Sequence, residues 1–301
     1  MQKKEKTGMK TVINRFGNKQ GMIELTVEQE EKLKGILLEI CSDIFIVCKK
    51  YGLCCLLSGG SALGAVRHGG FIPWDDDIDL NMPRKDFDRF ADIFSNEMGD
   101  KYKVFVPDGM HEIENTYMRV AKKGTILNDA FQVSSQKDYG IAIDVFPIEN
   151  ASNNAVVRFF KGTATNILLR SVVSVYYYQT RNPRSKKLFS GKTSTRVLYD
   201  LRCFLGFLLS FKSYEWWFIK YNDFVRSYEE TDYCTIPPGS DYFRELHPRQ
   251  VFFPPKKIKF ENLEVYTEND DDTYLRALYG DYMKIPPVEK REKHYYTKIE
   301  F

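Results

Sequence analysis

Trp74-Asp75-Asp76-Asp77-Ile78-Asp79-Leu80 packs four carboxylates into seven residues and ends by alternating acid with aliphatic. If residues 77–80 are extended, side chains alternate, so Asp77 and Asp79 point to one face while Ile78 and Leu80 pack on the other. Carboxylates held that close repel and raise each other's pKa unless a cation sits between them. Acids supply only oxygen ligands, which suit Mg²⁺ or Mn²⁺ and not zinc. Asp75 lies on the same alternation as a further candidate ligand. A solvated acidic turn is the bland reading of such a run, and neighbouring segments weigh against it.

Sixteen positions before Asp77, Ser61 closes Gly59-Gly60-Ser61 ahead of an expected helix at residues 62–67. Glycines let a backbone approach a phosphate closely, and a helix N-terminus offers N–H groups to it. A third acid, Asp144, stands in the apolar run Ile141-Ala-Ile-Asp144-Val-Phe146, where burial is costly without a partner. Carboxylates for a metal beside a phosphate cradle are equipment for phosphoryl or nucleotidyl transfer. Arg67 and His68, between cradle and acids, are candidates to neutralise a donor pyrophosphate; hydrogen bonding within the loop is their structural alternative. Trp74 reads as a packing anchor, and His294 either as a residue closing over the site or as a surface histidine.

Thr26-x-x-Gln29 reads as a capping box opening a helix whose stripe is Leu33, Leu37, Ile40, Ile44, Val47 and Tyr51, ended by Gly52. A buried strand is expected over 53–57 and a second around 77–82. A helix starting at Pro83 follows, with Phe87, Phe90, Ala91 and Phe94 on its apolar face. Strands at 102–106, 117–121 and 141–146 come next, then a pair at 257–260 and 263–267 and a helix from Asp270-Asp271-Asp272. Such an order predicts an α/β or α+β sheet domain. Residues 155–220 differ in kind. They hold 12 Lys or Arg against Asp200 and Glu215, with Tyr176-Tyr177-Tyr178, Phe204, Phe207, Phe211, Trp216 and Trp217 among them. Amphipathic helices on an anionic membrane surface fit that mixture better than nucleic-acid binding or a merely solvated face.

The composition, 43% hydrophobic and 28% charged over 301 residues, excludes a disordered chain. A net charge of +3 excludes a polycation. The six cysteines include no C-x-x-C, which argues against a zinc or dithiol site and fits a reducing compartment. The longest uncharged apolar run, Cys203 to Phe211, is far short of the roughly 20 residues that span a bilayer. The chain is expected to be cytoplasmic, or peripheral on the inner face of the membrane. Its expected organisation is a basic arm (1–25), a catalytic core (26–150), a basic aromatic helical region (151–245) and a C-terminal segment packing back on the core (246–301).

Three segments together resemble the LicD family of phosphotransferases, which includes phosphorylcholine transferases of bacterial surface glycans and, more distantly, fukutin. They are Ser58 through Leu80, Gly140-Ile-Ala-Ile-Asp144-Val-Phe-Pro147, and Asp272 through Pro287 followed by His294. The family often has Thr where this chain has Ser61, so the hydroxyl is kept. The resemblance implies an α+β, polymerase β-like nucleotidyltransferase fold: a mixed sheet flanked by helices, here with a helical basic insertion. It implies that Asp77, Asp79 and Asp144 hold Mg²⁺ (or Mn²⁺), that Asp144 completes the site and takes the acceptor's proton, and that Gly59, Gly60 and Ser61 touch donor phosphates. The implied reaction moves a phosphorylated alcohol, phosphocholine first, from a CDP-linked donor to a hydroxyl of a glycan, lipid-linked glycan or teichoic acid precursor. Nucleotidyl, ribitol-phosphate, glycerol-phosphate or sugar-phosphate transfer, or a non-catalytic glycan- or membrane-binding module, are the alternatives.

Overall fold

The computed structural model describes residues 22–129, 138–181, 183, 186, 189, 193–291 and 294–301. Most of the expected basic arm, residues 1–21, lies outside the described residues. Helix α1 (Val27–Tyr51) begins where its capping box predicts: the Gln29 N–H donates to Thr26 Oγ1 at 3.2 Å and the Thr26 N–H to Gln29 Oε1 at 3.0 Å. Its expected stripe is buried from Leu33 to Val47, whereas Tyr51 reaches the surface and bonds Glu97. Gly52 ends the helix at φ 64°, a left-handed value that glycine adopts without strain.

Strand β1 (Leu56–Leu57) leads into α2 (Gly59–His68), which starts three residues earlier than expected, and then into β2 (Asp79–Pro83). Helix α3 (Arg84–Met98) buries Ala91 and Phe87, Phe90 and Phe94, each phenylalanine worth about 1.5–3 kcal/mol. Strands β3 (Tyr102–Phe105), β4 (Met118–Lys122), β5 (Ile126–Asp129) and the ten-residue β6 (Ala142–Ala151) follow. The principal sheet runs β1-β2-β6-β4-β3, with β2 and β6 parallel and the other pairs antiparallel. The end of β6 pairs with β7 (Tyr233–Thr235), which pairs with β8 (His247–Pro248). This is a mixed sheet flanked by helices, an α+β arrangement. Arg84, wholly buried on α3, bonds Glu149 of β6 and so ties helix to sheet.

Helices α4 (Ala155–Gln179), α5 (Thr193–Leu209) and α6 (Tyr214–Val225) form the basic aromatic region. Helices α4 and α6 pack through Val172, Phe218, Tyr221 and Val225, and α5 meets α4 at Tyr177 and Tyr199. No helix among the described residues is long and apolar enough to cross a membrane. The chain closes with the hairpin β9 (Lys256–Phe260) and β10 (Leu263–Thr267), helix α7 (Asp271–Tyr279) and β11 (Tyr296–Glu300). Strand β11 pairs with β5, a pairing that sequence periodicity did not reveal. Ile23 also exchanges two backbone hydrogen bonds with Tyr296, at 2.7 and 3.1 Å.

Candidate active site

Strand register brings the distant acid into place. Asp79 on β2 stands opposite Asp144 on β6, and Asp144 stands opposite Arg119 on β4. Residues directly opposite on paired strands share a face, so the three form one row across the sheet. Arg119 Nε lies 2.8 Å from the Asp144 carboxylate, and Arg119 Nη1 lies 3.4 Å from Glu114. Burial works against the guanidinium charge, but Asp144, Tyr117 and Glu114 outweigh it and raise its pKa. Burial, then the charge of Asp144, likewise pushes the Tyr117 phenol well above its ordinary range.

The Gly-Gly-Ser turn is tied to the same strand. The Ser58 N–H donates to the Asp79 carbonyl and the Asp79 N–H to Ser61 Oγ, both at 2.9 Å. Ser61 is buried, and this bond makes it a link between turn and strand. No side chain caps the N-terminus of α2, while Gly59 takes φ +47° and donates its N–H to the Tyr274 hydroxyl at 3.3 Å. A Cβ on Gly60 would stand 3.2 Å from Asp75 Oδ2, so the Asp75 carboxylate leans over the turn.

Asp75, Asp76 and Asp77 lie in unpaired chain just ahead of β2, not within the strand. Ligand atoms of Asp75, Asp77 and His294 fall within 4.8 Å of one another. His294 owes its position to Asp76: its Nδ1 meets Asp76 Oδ1 at 2.5 Å, which leaves Nε2 3.7 Å from Asp77 Oδ2. The Tyr296 hydroxyl donates to the other Asp76 oxygen at 2.8 Å. Strand β11 thus delivers His294 to the acidic loop, and an imidazole joins what the sequence suggested as an all-oxygen donor set.

Arg67 and His68 are held by the loop and its neighbours. Arg67 Nη1 donates to the Tyr282 carbonyl at 2.5 Å, and its Nε to His68 Nε2 at 3.0 Å. Burial, then the Arg67 charge, lowers the His68 pKa, which keeps the ring neutral at pH 7. Trp74 has the Arg291 guanidinium 4.2 Å from its ring and the His68 ring edge-on at 6.3 Å, as befits a packing anchor. The tip of the β9–β10 hairpin supports the same loop. Glu261, at φ +52°, gives its N–H to the Gly69 carbonyl and takes the Phe71 N–H on Oε1.

Asn81, Glu245, His247 and Glu268 are buried polar side chains that the sequence did not announce. Burial, with mutual repulsion adding to it, raises the carboxyl of Glu245 to about 8. Burial raises that of Glu268 to about 7. Arg119 was also overlooked, though a lone charge within Tyr117–Ala121 is the same signal that singled out Asp144.

Residues 52–169 match the family described as "LicD/FKTN/FKRP, nucleotidyltransferase domain", a span that holds Asp79, Asp144 and Arg119. The chain is also 26% identical over 290 residues to the lipopolysaccharide cholinephosphotransferase LicD of Haemophilus influenzae, covering 91% of this chain and 97% of that protein. The protein is a transferase of phosphorus-containing groups. Its residues 52–169 carry a LicD-type nucleotidyltransferase domain, and both similarities support a LicD-type phosphotransferase.

Proposed function

We propose that the chain transfers phosphocholine from a CDP-linked donor to a sugar hydroxyl of a lipopolysaccharide or other surface-glycan precursor, on a polymerase β-like nucleotidyltransferase core over residues 26–150. The observation that carries this reading is the juxtaposition of Asp79 and Asp144 on parallel strands, stapled to the uncapped Gly59-Gly60 helix start. The H. influenzae relative is named a cholinephosphotransferase, and a transferred choline phosphate group fits the same equipment.

The carboxylates suit a hard divalent ion: Asp79 and Asp144 share a face of the sheet, and at the loop that runs into Asp79, ligand atoms of Asp75, Asp77 and His294 fall within 4.8 Å of one another. Asp77, Asp79 and Asp144 would hold Mg²⁺ or Mn²⁺, with Asp75 as a further ligand. When bound, such an ion neutralises phosphoryl oxygens and aligns attack. The chain's own groups do the remainder. The backbone N–H of Gly60 receives a donor phosphate oxygen, while Tyr274 holds the Gly59 N–H and Ser61 holds the turn to β2. Arg67 and His68 stabilise the loop beneath the donor. Asp144, oriented by Arg119, takes the acceptor hydroxyl's proton. That oxygen attacks the distal phosphorus, the phosphoanhydride bond breaks, and CMP leaves.

Asp77→Asn is the direct test. It should leave the circular dichroism spectrum and melting temperature near wild type and abolish transfer, read as product mass after incubation with alternative CDP conjugates and Mg²⁺. An active Asp77→Asn protein, or turnover of ribitol-phosphate, glycerol-phosphate or nucleotidyl donors in place of CDP-choline, would overturn the assignment.

A further inference from the structure

The basic region was expected to form amphipathic helices on an anionic membrane surface, and the structure shows which of its apolar side chains are exposed. On α5, Val197, Leu198, Leu201, Phe204, Leu205 and Leu208 are between 41% and 59% exposed. At about 100° per residue they fall within roughly one third of the helix circumference. The opposite side holds Thr195, Tyr199 and Gly206, all buried. Gly206 is pressed against α4: a Cβ there would stand 2.1 Å from the Ser174 carbonyl oxygen. Helix α5 is therefore mounted by its small and polar face and presents its apolar face outward, the reverse of an ordinary surface helix. Phe211, 66% exposed, extends the ridge into a cluster with Trp216 and Trp217.

Apolar surface of this extent marks an interaction site, and charge selects the occupant. Residues 155–220 carry ten net positive charges. A second copy docked through the same ridge would set that charge against itself, because a two-fold interface pairs each patch with its own image. Residues 1–21, with six Lys or Arg and one Glu, would be repelled likewise. Nucleic acid would answer the charge but not a ridge of Leu, Val and Phe. An anionic lipid surface answers both: side chains enter the acyl boundary, tryptophans sit at headgroup depth, and the exposed Lys212, next to Phe211 at the end of the ridge, meets anionic headgroups. We propose that α5 and the α5–α6 turn form a docking surface for anionic lipid bilayers.

This inference stands apart from the chemistry proposed above, since vesicle binding needs neither donor nor acceptor. The test is flotation of the full chain with phosphatidylglycerol-rich vesicles and with pure phosphatidylcholine vesicles, for wild type, for Leu201→Ser/Leu205→Ser/Leu208→Ser and for Lys212→Glu. Wild type should bind the anionic vesicles and release as salt rises. The triple variant should lose roughly tenfold or more of its partitioning while keeping its far-ultraviolet spectrum and its turnover of a water-soluble acceptor. Lys212→Glu should weaken binding to anionic vesicles alone. Equal binding by the triple variant overturns the proposal, as does equal binding of wild type to both vesicle types. So does a wild-type dimer in sedimentation that the triple variant converts to monomer, because the ridge would then be a protein interface.

Discussion

Arg119 and Asp144 are cross-strand partners with a 2.8 Å contact, their side chains 13% and 22% exposed, and Asp79 carries a second carboxylate beside them. At that distance and an effective dielectric near 20, the gross attraction is about 6 kcal/mol. Desolvation and the Glu114 contact return most of it, which leaves a net coupling of about 2 kcal/mol. Arg119→Met should therefore cost about 3 kcal/mol in the wild-type background, because Asp144 is left facing Asp79 without a countercharge. In an Asp144→Asn background the same substitution should cost only about 1 kcal/mol. Urea unfolding of the four proteins in a chelator, so that no divalent ion bridges the acids, measures the difference. If Arg119→Met costs the same in both backgrounds to within about 0.5 kcal/mol, the row does not act as an electrostatic unit and the reasoning fails.

Asp79→Asn should remove the rise in melting temperature that Mg²⁺ confers on wild type, and should abolish transfer; a retained Mg²⁺ shift would move the metal away from β2. The Glu268 carboxyl, raised to about 7 by burial, is favoured in its neutral form when folded. An unfolded glutamate ionises near 4.3, so Glu268 loses the fold up to about 3 kcal/mol as pH rises from about 4.5 to 7. Glu268→Gln should thus gain stability over wild type between pH 5 and 8, read by thermal melts, and parallel curves for the two proteins would refute the burial argument. Gly64→Ala should destabilise by at least about 2 kcal/mol in urea unfolding, since a Cβ there would stand 2.4 Å from the Gly70 carbonyl oxygen in the backbone of the loop; a neutral effect would mean that the loop yields freely.

Local signals carried much of this fold into the sequence. The Thr26 capping box, the Gly52 stop, the Phe87–Phe94 face and the β9–β10 pair depend on neighbours within a few residues, and each is found close to its expected place. The candidate acids were legible because a charge in an apolar alternation is costly without a reason. Register was not legible. Nothing in the spacing of Asp79, Arg119 and Asp144 states that three strands align them, since pairing between distant strands is settled by tertiary packing. The same holds for β5 with β11 and for the seat of His294. Asp77 marks a further gap: alternation implied that it shared a strand with Asp79, whereas pairing begins only at Asp79 because the preceding loop is drawn toward His294 and Tyr296. The direction in which α5 presents its leucines was hidden too, because a hydrophobic stripe does not say which side meets protein.

The bonds from His294 and Tyr296 to Asp76 join the acidic loop to a strand more than two hundred residues later. During synthesis the loop leaves the ribosome long before its clamp does. A growing chain that stops before His294 therefore lacks both side chains that hold Asp76 and the imidazole that stands 3.7 Å from Asp77. The order of manufacture thereby makes assembly of this pocket a closing event.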